Sequence, residues 1–210
     1  RNWISPLFFS TMDLSEYDLV IISATGGYFP NGVKVGTKTK VISYCHTPPR
    51  FLWNFNNEKI WPIPFLNTFR NFDKVFAKRV DYWIAGSGNC SSRLKSVYGV
   101  ESKVLYPFVD TSDFNPEKSF SGDYYLIISR LNTYKKVQIA VDAFKGWNRK
   151  LKIVGTGPQL NLIKERAGEN VEVLGKVRDD LLKNLLSGCK GLIIMAEEDF
   201  GMTAIESQAF

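Results

Sequence analysis

Residues 191–210 read Gly191-Leu192-Ile193-Ile194-Met195-Ala196-Glu197-Glu198-Asp199-Phe200-Gly201-Met202-Thr203-Ala204-Ile205-Glu206-Ser207-Gln208-Ala209-Phe210. The first six residues form an apolar run that predicts a buried strand. Asp199 and Gly201 predict a turn, and a helix is expected from about Met202. A helix N-terminus offers unpaired N–H groups and the positive end of the helix dipole, which suit a phosphate. Glu198 then falls on the loop at the strand's carboxyl end. Glu206, seven intervening residues later, lies about one turn into the helix with its side chain leaning back toward that end. An anion seat at Gly201, Met202 and Thr203, flanked by two acceptors, fits a ligand with a central diphosphate and hydroxyl-rich ends.

Upstream of this stretch, strands and helices alternate. Apolar or β-branched runs at 124–129, 151–154 and 171–174 predict strands. Helices are expected at 135–144, after Pro158, and at 179–186. Strict alternation with short connections implies an α/β, doubly wound parallel sheet that binds ligands at the carboxyl ends of its strands. A second series precedes it. Strands are expected at 18–23, 40–45, 82–85 and 103–106, with helices at 66–80 and after Ser87. Between the two series, residues 107–122 are rich in Pro, Ser, Asp and Asn and read as a linker.

Three further constellations carry chemistry. In Ser129-Arg130-Leu131-Asn132-Thr133-Tyr134-Lys135-Lys136, two cations follow a strand at the edge expected for Glu198. Together they can hold a diphosphate and stabilise the charge that grows as it leaves. Alone, the pair reads rather as a solvated helix start. Val154-Gly155-Thr156-Gly157-Pro158 is a tight turn into a helix, lacking the third glycine and acidic partner of a dinucleotide fingerprint. In Tyr44-Cys45-His46-Thr47-Pro48-Pro49, the only histidine of the chain stands at a strand's carboxyl end. One histidine builds neither a Ser-His-Asp triad nor a His-rich metal site.

Composition sets the bounds. Of 210 residues, 44% are hydrophobic and 23% charged, which is ordinary for a globular protein. Net charge is +6 with no long basic run, so the bias suits anionic substrates rather than nucleic acid. Cys45, Cys90 and Cys189 are too few and too scattered for a disulfide framework, which points to a reducing compartment. No apolar run approaches the length of a membrane span. The aromatic and basic stretch 50–79 reads as core, or as an acceptor or membrane-facing surface.

The Glu198-to-Glu206 spacing, the Arg130 and Lys135 pair and the Val-Gly-x-Gly-Pro turn together resemble the retaining glycosyltransferases of family 4. The likeness is nearest to bacterial and archaeal mannosyltransferases of surface-polysaccharide assembly. It implies a GT-B fold: two Rossmann-like domains facing across a cleft, both incomplete here. They would be an acceptor-side domain at 1–108, a linker at 109–122 and a donor domain at 123–210. It also implies that Glu198 meets the donor sugar, Glu206 the ribose, and Arg130 and Lys135 the diphosphate. Val177, in Leu174-Gly175-Lys176-Val177, corresponds to a loop that meets the nucleobase, or simply ends a strand. His46 corresponds to a first-domain histidine facing the sugar. The expected partners are a GDP-sugar or UDP-sugar donor, with GDP-mannose first, and a glycan or lipid-linked acceptor. No cofactor or tightly held metal is expected. The expected location is the cytoplasm, with peripheral association at a membrane. Two other classes stay open: a nucleotide-sugar-binding protein without turnover, and a nicotinamide-dependent oxidoreductase.

Overall fold

The computed structural model describes residues 5–25, 29–55, 66–111 and 122–209. The chain divides into two compact units, residues 1–107 and 108–210. Much of the expected linker, residues 112–121, lies outside the described residues, as does part of the aromatic stretch, residues 56–65.

The first unit holds a four-stranded parallel sheet. Its strands are β1 (Leu19–Ala24), β2 (Lys40–Cys45), β3 (Tyr82–Ala85) and β4 (Lys103–Val104), lying side by side in that order. Around them are helices α1 (Ser5–Thr11), α2 (Arg50–Trp53), α3 (Leu66–Ala77) and α4 (Gly88–Tyr98). Strand alternation puts Val20, Ile22, Ala24, Val41, Cys45, Trp83 and Ala85 on one face. There Cys45, Trp83 and Ala85 bury with Ala77 of α3 and with Cys90 and Leu94 of α4, while Val20, Ile22, Ala24 and Val41 bury with Val33. The opposite face carries Leu19, Ile21, Ile42, Tyr44, Tyr82 and Ile84, aligned by the register Ile21↔Ile42↔Tyr82. Parallel sheets normally cover both faces. Here Ile21 is 67% and Tyr82 60% exposed.

The second unit holds β5 (Tyr124–Ile128), β6 (Lys150–Val154), β7 (Val171–Gly175) and β8 (Gly191–Leu192), all parallel, in the order β7-β6-β5-β8. Helices α5 (Val137–Phe144), α6 (Leu160–Arg166) and α7 (Asp179–Gly188) follow the first three strands, and α8 (Met202–Gln208) follows the last. Ile127, Leu151 and Ile153 pack with Val137, Val141 and Phe144 of α5 and Ile163 of α6. Leu126 and Val154 pack with Leu185 and Leu186 of α7 on the other side. Both faces are therefore covered, as the doubly wound expectation requires.

Several boundaries differ from those expected. The helix read as 135–144 opens at Val137. Lys135 ends a 3₁₀ turn (Thr133–Lys135), and Lys136 takes a left-handed conformation (φ 54°) that breaks the helical run. The strands read as 103–106 and 191–196 keep two residues each. Both stand at a sheet edge with one partner strand, so their later residues lack a second ladder. Past β8, Ile193 still donates to Leu126 O (2.8 Å), and Ile193 and Met195 pack on the core. Within the aromatic stretch, Arg50–Trp53 forms a single helical turn.

Candidate functional site

The strand order of the second unit reverses at β5. From β5 the chain steps to β6 and β7 on one side, then crosses back to lay β8 on the other. The loops leaving β5 and β8 therefore emerge as neighbours at the carboxyl edge. In open α/β sheets this switch point is where ligands bind. The β5 loop carries Arg130 and Lys135, and the β8 loop carries Glu198.

Residues 129–131 are held by backbone bonds that extend the ladder beyond the strands. Ser129 N donates to Val154 O (3.0 Å), Leu131 N to Thr156 O (2.9 Å), and Gln159 N to Leu131 O (2.9 Å). Leu131 is fully buried and anchors the loop. The two loops approach so closely that a Cβ on Gly155 would lie 1.8 Å from Ser129 O, and one on Gly157 would lie 2.5 Å from Leu131 O. Gly155 also has φ 144°, which side chains rarely adopt. The Val-Gly-x-Gly-Pro segment is thus the support on which the Arg130 loop rests.

Across the switch point, Lys135 Nζ donates to Glu198 Oε1 at 2.5 Å. The side chains are 15% and 34% exposed. Lys has three N–H donors and a carboxylate about four acceptor sites, so one mutual bond leaves most of both free for a ligand. Lys135 Nζ also lies 5.5 Å from the Tyr134 ring centroid. The Arg130 side chain is exposed and has no hydrogen bond or ion pair among the described residues. Glu206 is half-buried on α8, and its carboxylate likewise has no partner there. Gly201 has φ 86° and precedes α8, and its carbonyl accepts from Ala204 N and Ile205 N. Met202 is exposed and Thr203 half-buried.

Val177 follows β7 and turns its side chain to the core cluster of Leu126, Val154, Leu185 and Leu186. Its backbone is what it offers beyond the strand end. In the first unit, His46 stands just past β2, and its N–H donates to Ala24 O (2.9 Å). Its Nε2 lies 3.1 Å from Ser23 Oγ. The Tyr44 ring meets the imidazole edge-on, with centroids 4.9 Å apart and planes at 79°.

Two features were missed in the sequence. Ser23 becomes His46's neighbour only through the β1–β2 register, for which a lone serine gives no signal. Asp73, expected merely as one polar position of a helix, is 4% exposed and accepts from Trp53 Nε1 and Tyr98 OH, both at 2.7 Å. Burial raises its carboxyl to about 6 against the two hydrogen bonds that favour ionisation. Among the described residues, no cluster of three His, Cys, Asp or Glu could hold a metal. No described helix is long and apolar enough to cross a membrane.

The fold is that of the GT-B glycosyltransferases. Residues 110–210 match the family described as glycosyl transferases group 1. A structure of HepE from Anabaena with UDP-glucose superposes with a TM-score of 0.68 at 19% identity, covering 93% of this chain and 58% of HepE. TarM, which S. aureus possesses, superposes with a TM-score of 0.66 at 17% identity, covering 91% of this chain and 39% of TarM. The alpha-1,3/1,6-mannosyltransferase ALG2 of Dictyostelium discoideum is 25% identical over 168 residues, covering 69% of this chain and 39% of ALG2. The chain therefore spans about two fifths of the length of ALG2 and of TarM.

Proposed function

We propose that the protein transfers a hexose, in the first instance mannose, from a nucleotide-diphosphate sugar to a glycan or lipid-linked acceptor, with retention at the anomeric carbon. The observation that carries this reading is the Lys135–Glu198 pair at the switch point, beside a loop whose Arg130 has no partner among the described residues. That arrangement supplies cations for a diphosphate and a carboxylate for sugar hydroxyls at the edge where the fold binds ligands. The likeness to ALG2 favours mannose. The structures of HepE with UDP-glucose make UDP-sugars the second donor to try.

In this reading the bond from the anomeric carbon to the diphosphate oxygen breaks while the acceptor oxygen bonds to that carbon from the same face. The acceptor's proton passes to a diphosphate oxygen. Arg130, Lys135 and the N–H groups of residues 201–203 stabilise the leaving diphosphate. Glu198 orients the sugar, Glu206 the ribose and the backbone at Val177 the base, and we assign His46 a sugar contact. The two cations neutralise charge without calling on a metal. We place the reaction in the cytoplasm at a membrane surface. Exposed Phe72 and Val75 of α3 lie beside exposed Lys74 and, just past the helix, Lys78, a combination that suits an anionic bilayer.

The test is nucleotide release in the presence of GDP- and UDP-sugars, for the parent protein and for Glu198→Ala and Lys135→Ala. Release by the parent, reduced about 10²–10³-fold in each variant, is expected. Equal release in all three would end the site assignment. Binding of NAD with no affinity for GDP or UDP would end the transferase reading.

A further inference from the structure

We propose that Ser23 is a positioning residue for His46. Its hydroxyl donates to Nε2, fixes the imidazole as the Nδ1–H tautomer, and leaves Nδ1–H as the donor offered to a bound sugar. The sugar contact rests on the reading above, whereas the tautomer is argued from the Ser23–His46 contact and is tested separately.

The parallel register sets Ser23 beside Tyr44. The His46 N–H bond to Ala24 O carries the ladder one residue further. Because side chains alternate along a strand, Ser23, Tyr44 and His46 all fall on the face that α3 and α4 leave uncovered. On that face the ring is fixed twice. Tyr44, itself tied by its hydroxyl to Leu105 O (2.9 Å), meets the imidazole edge-on. Ser23 Oγ stands 3.1 Å from Nε2. The Ser23 hydroxyl has no other protein partner among the described residues, and in the proposed arrangement its proton is turned to Nε2, which accepts it. A nitrogen that accepts cannot carry the ring proton, which then resides on Nδ1. Nδ1 has no partner among the described residues and is the nitrogen left to meet a ligand. Orientation of a histidine through the hydrogen bond at its other nitrogen is a general device of functional sites.

One histidine in 210 residues makes the test direct, because a sample labelled with ¹⁵N-histidine gives one imidazole spin system. At a pH of about 8, above the ordinary histidine range, the ¹⁵N shifts report the tautomer ratio. The parent is expected to show Nδ1–H as the major form. Ser23→Ala should move the ratio toward Nε2–H about fivefold, the weight of one hydrogen bond of ordinary net strength. Ser23→Thr keeps the hydroxyl and should hold the parent ratio. Ser23 lies on the exposed face, so these variants retain the fold. A parent dominated by Nε2–H, or an unchanged ratio in Ser23→Ala, would overturn the proposal. The kinetic arm uses nucleotide release. Ser23→Ala should raise KM for the sugar nucleotide about fivefold by the same hydrogen-bond arithmetic, with Thr restoring it. A tautomer that responds while KM does not overturns the sugar contact given to His46, whereas a parent that releases no nucleotide overturns the transferase reading and leaves the tautomer test in force.

Discussion

Lys135 and Glu198 neutralise each other at 2.5 Å while remaining partly open to solvent. Such a pair contributes little net stability, because desolvation offsets much of the attraction. Lys135→Ala should therefore change the unfolding free energy by no more than about 1 kcal/mol in a denaturant titration, while nucleotide release collapses. A loss of stability large enough to explain the loss of activity would recast the pair as structural. Gly155 presents the opposite case. It touches no expected ligand, yet a Cβ there meets Ser129 O at 1.8 Å with φ 144°. Backbone cannot swing aside as a side chain can, so Gly155→Ala should cost about 3 kcal/mol or more and weaken donor binding through the Arg130 loop. Chemical denaturation and titration calorimetry with a nucleoside diphosphate would check both halves.

Among the elements, α3 is joined to its neighbours through one carboxyl group. Asp73 receives Trp53 of α2 and Tyr98 of α4, and Tyr98 stacks on Trp83 of β3 with centroids 5.5 Å apart. Burial raises Asp73 from 3.8 to about 6, so the folded state binds its proton more tightly than the unfolded state. The sign follows: this stabilisation is full below about pH 4 and is lost as pH rises through about 6. The shift corresponds to about 3 kcal/mol. Asp73→Asn should flatten the parent's loss of stability between about pH 4 and 7, measured as the difference between the two unfolding curves. A difference independent of pH would refute the assignment. The second unit has a comparable tie in Asn170, just before β7. Its amide donates to the carbonyls of Phe144, Trp147 and Arg149 at 2.8–2.9 Å, closing the turn between α5 and β6. Asn170→Ala leaves three acceptors without that donor and should cost about 1–3 kcal/mol in the same assay.

For the molecule as a whole, the two units differ in how their sheets are covered. The second buries both faces, whereas the first leaves Leu19, Ile21, Tyr82 and their neighbours in solvent. An apolar surface of that kind binds hydrophobic dyes and self-associates. The 210-residue polypeptide should enhance the fluorescence of a naphthalene sulfonate probe. Ile21→Ser with Tyr82→Ser should reduce that signal with the far-UV circular dichroism unchanged. A parent that leaves the probe dark would mean the face is shielded in solution.

Local order, carried by period and punctuation, was legible without coordinates. Apolar runs marked every strand, Ser87 marked the start of α4, and the β-α rhythm gave two parallel sheets. The charged residues of the β5 and β8 loops could also be placed, because cations after one strand and a carboxylate after another are statements about residue type and position. What the sequence could not state was adjacency. Lys135 and Glu198 lie 63 residues apart and meet because the sheet reverses at β5. Ser23 meets His46 because of a strand register, and Asp73 acquires its altered proton affinity from aromatic neighbours on two other helices. These depend on strand order and packing, which balance many weak interactions over the whole unit, so they are decided only when the chain has folded.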